Sequence, residues 1–376
     1  MNKPYRVMSI FGTRPEAIKL APVIHSLRKD PFFESRVVVT GQHRQMLDHV
    51  LSLFEITPNH DLNVMQPNQS LAAITSRVIQ GLDPILGKEK PECILVQGDT
   101  TTVFAAALTA FYHKIPIGHV EAGLRTPNKY NPFPEEINRR LTGQLCDIHF
   151  CPTEGAQQAL LKEGINPATV HVTQNTVIDA LLYITGRERN LPKTLRNIDF
   201  SKRILAVTMH RRENQGEPMA DVCRALIELC ARFSEIEVAI PLHLSPTVQN
   251  VVKPLLKDHS RIHIIEPLDY ADFTYLLEKC YLVLSDSGGV QEEAPSLGKP
   301  VLVLREVTER PEGVAAGLNF LVGTDTKRIV DMASKFLLDS ALYTYTAQKK
   351  NPYGDGHAAE RINHLLKQFL PTIRKT

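Results

Sequence analysis

Short apolar runs recur along this chain in two series, and that recurrence constrains the fold more than any other feature. The first series reads RVMSI, SRVVVTG, CILVQGD, IPIGHVEA, DIHFCP and TVHVTQN; the second reads RILAVTM, EIEVAIP, RIHIIEP, YLVLSDS, PVLVLRE and FLVGT. Amphipathic stretches such as TVFAAALTAFYH and MADVCRALIELCARF separate most of them. Near-continuous apolar strands alternating with helices predict parallel sheets covered on both faces. Two such series predict an α/β protein of two Rossmann-like, doubly wound domains. The length of 376 residues, too great for one ordinary core, agrees with this. The charged, aperiodic segment GRERNLPKTLRNIDFSKR puts the boundary near or just before it. The expected domains are 1–172 and 173–357, with a C-terminal amphipathic helix, 358–376, able to pack back on the first. Strands in such sheets present their carboxyl ends to ligands. The expected site is therefore a central cleft faced by both domains.

Composition narrows the partners. Lys+Arg is 43 and Asp+Glu is 41, so neither sign dominates, which argues against a general nucleic-acid or membrane surface. An anionic ligand must be held by a few local cations. The apolar stretch in MNKPYRVMSIFG is too short for a signal peptide or a membrane span. The six cysteines form no C-x-x-C pair, so reduced, mostly buried thiols in a cytoplasmic protein are expected, with no zinc clip.

The residues after each run are the ones to read for chemistry. In FGTRPEAIKLAP, Thr13 and Glu16 have capping-box spacing and Pro15 sits in the first turn of a helix. Arg14 then faces the positive end of the helix dipole, which disfavours a cation unless an anion shares the site. Lys19 has the spacing to pair with Glu16 one turn back. Asp99 ends QGD, where it caps the threonine-led helix or meets a ligand. Glu121 lies inside an apolar run; a carboxylate there has an arginine partner or chemical work, and work is the favoured reading. Glu135 and Glu136 stand behind two prolines at a helix start, where acidic residues are ordinary. In the second half, His210, flanked by Arg211 and Arg212, reads as a phosphate contact or proton donor. Ser287, Gly288 and Gly289 make a small turn into a helix, suited to phosphate. Glu293 and Arg310 follow as candidates for sugar hydroxyls and for an anion. Cations and a glycine turn come mainly from one half and carboxylates mainly from the other, a layout that suits a ligand with a phosphate end and a sugar end.

Together these motifs closely resemble the non-hydrolysing UDP-N-acetylglucosamine 2-epimerases of bacteria. The matches are FGTRPEAIKLAP, TGQHRQML, GDTTT, GHVEAGLRT, PFPEEINR, NTVIDAL, HRREN, SDSGGVQEEAPSLGKPVLVLR, TERPEG and NPYGDG, spanning nearly the whole chain. The resemblance implies a GT-B-like fold, a homodimer, and interconversion of UDP-GlcNAc and UDP-ManNAc by elimination of UDP to a 2-acetamidoglucal followed by re-addition. It implies no nicotinamide, no other cofactor, no metal, and UDP as a further ligand. It places acid–base work on Asp99, Glu121, Glu135 and His210. Phosphate contacts fall on Arg14, Ser287, Gly288 and Gly289, with Lys19 nearby; uridine and ribose contacts fall on Phe273 and Glu293, with Arg310 a further contact. It also implies a second, activating UDP-GlcNAc held by Gln42, Gln45 and Gln69, with His43 beside them and Arg211 and Glu135 on the other side. The sequence departs from the family at Met209, where a small residue is common, and at Gln174, where a glycine is usual. A glycosyltransferase would share the fold, but QHRQML and PFPEEINR match the epimerases. A hydrolysing epimerase typically has an arginine after its Gly-Asp, where this chain reads GDTTT. A sugar-nucleotide-binding regulator would not need Asp99, Glu121 and His210 together.

Overall fold

The protein is described by a computed structural model for residues 3–41, 44–66 and 69–373, apart from the side chains of Arg44 and Gln45. The chain divides into two compact units, Met1–Ala180 with Gly354–Thr376, and Leu181–Tyr353. The first division falls inside the helix Thr176–Thr185, later than the expected 172/173 boundary.

The first unit is built on a parallel sheet of β1 (Tyr5–Phe11), β2 (Phe33–Val39), β3 (His60–Asp61), β4 (Cys93–Gln97), β5 (Ile117–Val120), β6 (Ile148–Cys151) and β7 (Val170–Val172). Their order is β3-β2-β1-β4-β5-β6-β7. Each apolar run of the first series carries a strand. The short β3 was not expected; it extends the edge by pairing His60 with Val38. Met8 and Ile10 of β1 and Ile94 and Val96 of β4 point to one face. There they join Val78, Leu82 and Leu86 of the helix Leu71–Glu89 and Val103 and Ala106 of the helix Thr101–Tyr112.

The second unit holds β8 (Arg203–Thr208), β9 (Ile236–Pro241), β10 (Ile262–Ile265), β11 (Leu282–Ser285), β12 (Val301–Val303) and β13 (Asn319–Leu321), in the order β10-β9-β8-β11-β12-β13. Its pairings are parallel. Alternate residues of β8 serve opposite cores. Leu205 and Val207 pack with Val222 and Leu226, whereas Ile204 and Ala206 pack with Leu276 and Leu277. A strand buried on both faces has no polar side, which explains the apolar run from Ile204 to Val207.

The strand order reverses between β1 and β4 in the first unit and between β8 and β11 in the second. These switch points open a crevice at the carboxyl ends of the strands, where such sheets bind ligands. The C-terminal helix Ala358–Ile373 belongs to the first unit and packs on the helix Arg14–Lys29. Asn363 donates to the Ser26 carbonyl at 3.2 Å and Lys367 meets Asp30 at 2.5 Å. All six cysteines are free and all but Cys146 are buried. No described helix is long and apolar enough to cross a membrane.

Candidate active site

At the end of β1 the chain turns into the helix Arg14–Lys29. Glu16 is buried, and its Oε2 accepts the Thr13 N–H at 2.7 Å and the Gly12 N–H at 3.2 Å. Its Oε1 accepts the Thr100 hydroxyl at 2.9 Å, so one carboxyl ties β1's exit to β4's exit. Burial pushes that carboxyl up to about 7. Glu16 is thus committed to backbone, and Lys19 pairs with Glu121 at 2.5 Å instead of with Glu16. Arg14, half-buried at the first helical position, makes no hydrogen bond or ion pair among the described residues.

Three carboxylates gather at the ends of β4 and β5 and the start of the helix Glu135–Leu145. Asp99 meets Arg139 at 2.8 Å. It does not cap the following helix; the cap is Thr100, whose hydroxyl accepts the Val103 N–H at 3.3 Å. Burial pushes the Asp99 carboxyl up to about 6, with Arg139 and Lys19 opposing and the like charges of Glu121 and Glu135 reinforcing. Glu121 is buried with φ +60, a left-handed backbone conformation that non-glycine residues adopt rarely and mostly at functional sites. It pairs with a lysine among the described residues, where the sequence offered an arginine. Lys19 and the Asn175 amide, the latter at 3.1 Å, converge on Oε1, and the Gln97 amide donates to Oε2. The two glutamates at the helix start differ. Glu136 is fully buried and accepts from Thr126 and Arg140, a structural role. Glu135 has a buried Oε2 with no hydrogen-bond partner among the described residues. His119 on β5 is buried 2.7 Å from the Gly98 carbonyl. A carbonyl only accepts, so Nε2 carries a proton, and burial, which pushes the ring's pKa down to about 4, keeps it neutral near pH 7.

In the second unit, Asp286 follows β11 and is fully buried. Its Oδ2 accepts the backbone N–H groups of His210 and Arg211, each at 2.9 Å, and the Asn214 amide at 3.2 Å. Its Oδ1 lies 3.1 Å from His210 Nδ1. Burial acts to raise this carboxyl, yet His210 and the converging N–H groups hold it below its ordinary value. His210 is thereby fixed against β11 while much of its ring stays exposed. A Cβ on Gly288 would sit 3.7 Å from Arg310 Cζ and 3.9 Å from Arg211 Nη2, so two guanidiniums flank one backbone turn. Arg310 is tethered to Glu292 through Nε. Arg211 Nε is buried with no hydrogen-bond partner among the described residues. Ser287 precedes that turn, its N–H donating to Ser285 Oγ at 3.0 Å, and the space around Gly289 is open. Glu293 is buried and accepts the Tyr270 hydroxyl at 2.7 Å, while Phe273 packs against the core on that side.

The remaining sequence candidates fall elsewhere. Gln42, His43 and the side chain of Gln45 lie outside the described residues. Gln69 accepts Arg77 at 2.7 Å within its own segment. Met209 is buried in the core of the second unit, where its bulk is accommodated. Gln174 has φ +70, the conformation that a glycine would favour. No local pattern marks Asp286, Arg139, Gln97 or Asn175, although they lie in SDSGG, PFPEEINR, QGDTTT and NTVIDAL.

Comparison with known proteins agrees across nearly the full chain. A family profile described as UDP-N-acetylglucosamine 2-epimerase matches residues 25–367. A UDP-N-acetylglucosamine 2-epimerase of Yersinia pestis is 50% identical over 375 residues, covering 98% of this chain and 100% of its own. A Listeria monocytogenes crystal structure of a protein assigned the same activity is 49% identical with a TM-score of 0.92, covering 99% of this chain and 98% of its own. The Neisseria meningitidis UDP-GlcNAc 2-epimerase, solved bound to UDP-GlcNAc, is 49% identical with a TM-score of 0.88, covering 96% of this chain and 100% of its own. This chain, with its two Rossmann-like units and carboxylates and guanidiniums at their strand ends, belongs to the UDP-N-acetylglucosamine 2-epimerase family.

Proposed function

We propose that the protein interconverts UDP-GlcNAc and UDP-ManNAc without hydrolysis, by elimination and re-addition of UDP. The observation that carries this reading is the carboxylate group at the β4 and β5 ends, in which Asp99 is pushed up to about 6 beside Glu121 and Glu135. A carboxyl near that value both takes and returns a proton at neutral pH. In the forward direction a carboxylate removes the C2 proton, the C1–O bond to UDP breaks, and the electron pair forms the C1=C2 bond of a 2-acetamidoglucal. A proton then returns to C2 from the opposite face as UDP re-adds at C1. No electrons leave the sugar, so the chemistry calls for no redox cofactor, and cationic side chains serve the departing diphosphate in place of a metal.

Asp99, Glu121 and Glu135 carry the acid–base work, and His210, oriented by Asp286 behind Nδ1, serves the glycosidic oxygen. Arg310, Arg14 and the turn Ser287–Gly288–Gly289 hold the diphosphate, with Lys19 set against Glu121. Phe273 and Glu293 receive the uridine and ribose. A second UDP-GlcNAc activates the enzyme through Gln42, His43, Gln45, Gln69 and Arg211. The protein acts as a homodimer in the cytoplasm, consistent with its six unpaired thiols, and supplies ManNAc units for surface polysaccharide.

Proton NMR of UDP-GlcNAc with the protein in D2O tests the reading. The expected product is UDP-ManNAc with deuterium at C2 in both epimers, and Asp99→Asn lowers turnover roughly a hundredfold or more. Purified UDP-ManNAc alone is expected to react after a lag that a trace of UDP-GlcNAc abolishes. Free ManNAc as the main product, or no reaction, overturns the assignment.

A further inference from the structure

Parts of the motifs NTVIDAL and NPYGDG come together in the first unit, where Gly354 lies against Ile178. Gln174 stands just before the first of them with φ +70. A side chain disfavours that conformation, and glutamine is too long to satisfy its own backbone there as asparagine does. The Gln174 side chain is engaged by residues from the far end of the chain. Gln174 Oε1 accepts Arg361 Nη1 at 2.7 Å and the Asp355 N–H at 3.2 Å. Arg361 is in turn fixed by Asp355, with Nη1 2.9 Å from Oδ1 and Nη2 2.6 Å from Oδ2, a two-pronged pair. The start of the C-terminal helix is anchored separately. Buried Asp179 accepts the Ala358 and Ala359 N–H groups at 3.2 and 2.8 Å.

The residue after Gln174 reaches the carboxylates. Asn175 is buried; its Oδ1 accepts the Val177 N–H at 3.1 Å, which sets its amide, and its Nδ2 donates to Glu121 Oε1 at 3.1 Å. A continuous chain of contacts thus runs from the Asp355–Arg361 pair through Gln174 and Asn175 to Glu121. Glu121, the adjacent pair Gln174 and Asn175, and the Asp355–Arg361 pair lie far apart in sequence, so only the fold joins these three parts.

We propose that Arg361, paired with Asp355, is a positioning residue that holds Gln174 in its left-handed conformation and so aims Asn175 at Glu121. This rests on Glu121 taking part in the acid–base step. Glycine adopts the same backbone conformation with no clamp, so it replaces the function of the Gln174–Arg361 contact by a different physical route.

The test measures kcat, KM and Tm of the full-length protein with UDP-GlcNAc. Arg361→Ala lowers kcat about ten- to hundredfold with KM within about twofold of wild type, as expected of a misplaced catalytic group. Adding Gln174→Gly to Arg361→Ala restores kcat to within about threefold of wild type, because glycine needs no external clamp. Gln174→Ala, which keeps the Cβ and loses the acceptor, falls in kcat as Arg361→Ala does, and Gln174→Gly stays above it. The alanine–glycine comparison stands even if Arg361→Ala does not fold. Wild-type kcat in Gln174→Ala overturns the proposal, as does a lowered Tm with kcat unchanged in Arg361→Ala or a loss there that Gln174→Gly does not recover. If those outcomes occur while wild-type protein turns over UDP-GlcNAc, the positioning claim alone fails. Wild-type protein with no turnover overturns both this and the function it rests on.

Discussion

Glu16 joins the exits of β1 and β4 with a fully buried carboxyl. Its pKa is raised from 4.5 to about 7, so the contribution it makes to stability is fully present below the unfolded value and is lost as pH rises through the folded one. Ionising it in place costs on the order of 3 kcal/mol. Glutamine in this position accepts the two N–H groups with its oxygen and donates to the Thr100 hydroxyl with its amide. Glu16→Gln is therefore expected to match wild type in thermal melts near pH 5 and to exceed it near pH 8. An equal Tm difference at both pH values contradicts this account. The same stretch shows what the sequence made legible at this scale. Arg14 stood out because a cation opposes the helix dipole there, and Glu121 because a charge interrupts an apolar run. Their partners left no local trace. Lys19 and Glu121 are 102 residues apart, and His210 and Asp286 are 76 apart, so spacing cannot announce either pair. The carboxylate nearest Lys19 in sequence, Glu16, is already claimed by the backbone.

Each apolar run marked a strand because the stretch of a parallel strand that is covered on both faces is mostly apolar; Glu34, Ser35 and Arg36 fall where β2 is only half-buried. The two-residue β3 is too short to carry a period, and its pairing follows from β2's exposed edge. The starts of the helices Arg14–Lys29 and Glu135–Leu145 were legible from their prolines and first-turn glutamates. Thr100 takes the capping role that the sequence offers to Asp99, and Asp99 meets Arg139 instead. What the run GHVEAGLRT did not reveal is how closely its turn approaches the next element. Gly123 has φ +93, and a Cβ there would lie 2.2 Å from the Ala156 carbonyl oxygen in the helix Glu154–Lys162. Backbone cannot swing aside as a side chain does. Gly123→Ala is expected to destabilise the protein by more than about 2 kcal/mol in urea unfolding, with the turn that carries Glu121 disturbed first. Gly289→Ala is the control, since a Cβ there meets nothing within 4 Å. It should shift the midpoint little, by about 0.5 kcal/mol or less. Equal losses in the two variants contradict the steric account.

Each of the two units has its own sheet and its own apolar cores, and the chain passes between them at Ala180–Leu181 and Tyr353–Gly354. Burial is not complete in the first unit. The helices Thr101–Tyr112 and Glu135–Leu145 pack on each other, and both leave large apolar side chains in solvent. Phe111 is 57% exposed and Tyr112 66%, at the end of one helix; Leu141 is 45% exposed and Ile137 37%, one turn apart on the other. Single exposed apolar residues are ordinary on a protein surface, but several on two adjacent helices are where the proposed second copy is expected to pack. The near-balanced charge of 43 Lys+Arg against 41 Asp+Glu offers little repulsion between copies. The same helix Glu135–Leu145 supplies Glu135 and Arg139 to the carboxylate group, so covering its outer face would steady the site from behind. Light scattering on the eluting protein is expected to give twice the 42.1 kDa chain mass. Phe111→Glu with Leu141→Glu, which puts like charges on that surface, is expected to shift the protein toward the single-chain mass while circular dichroism stays unchanged. A wild-type protein that elutes at 42.1 kDa at all concentrations excludes the dimer, and a double variant that remains at twice that mass places its interface elsewhere.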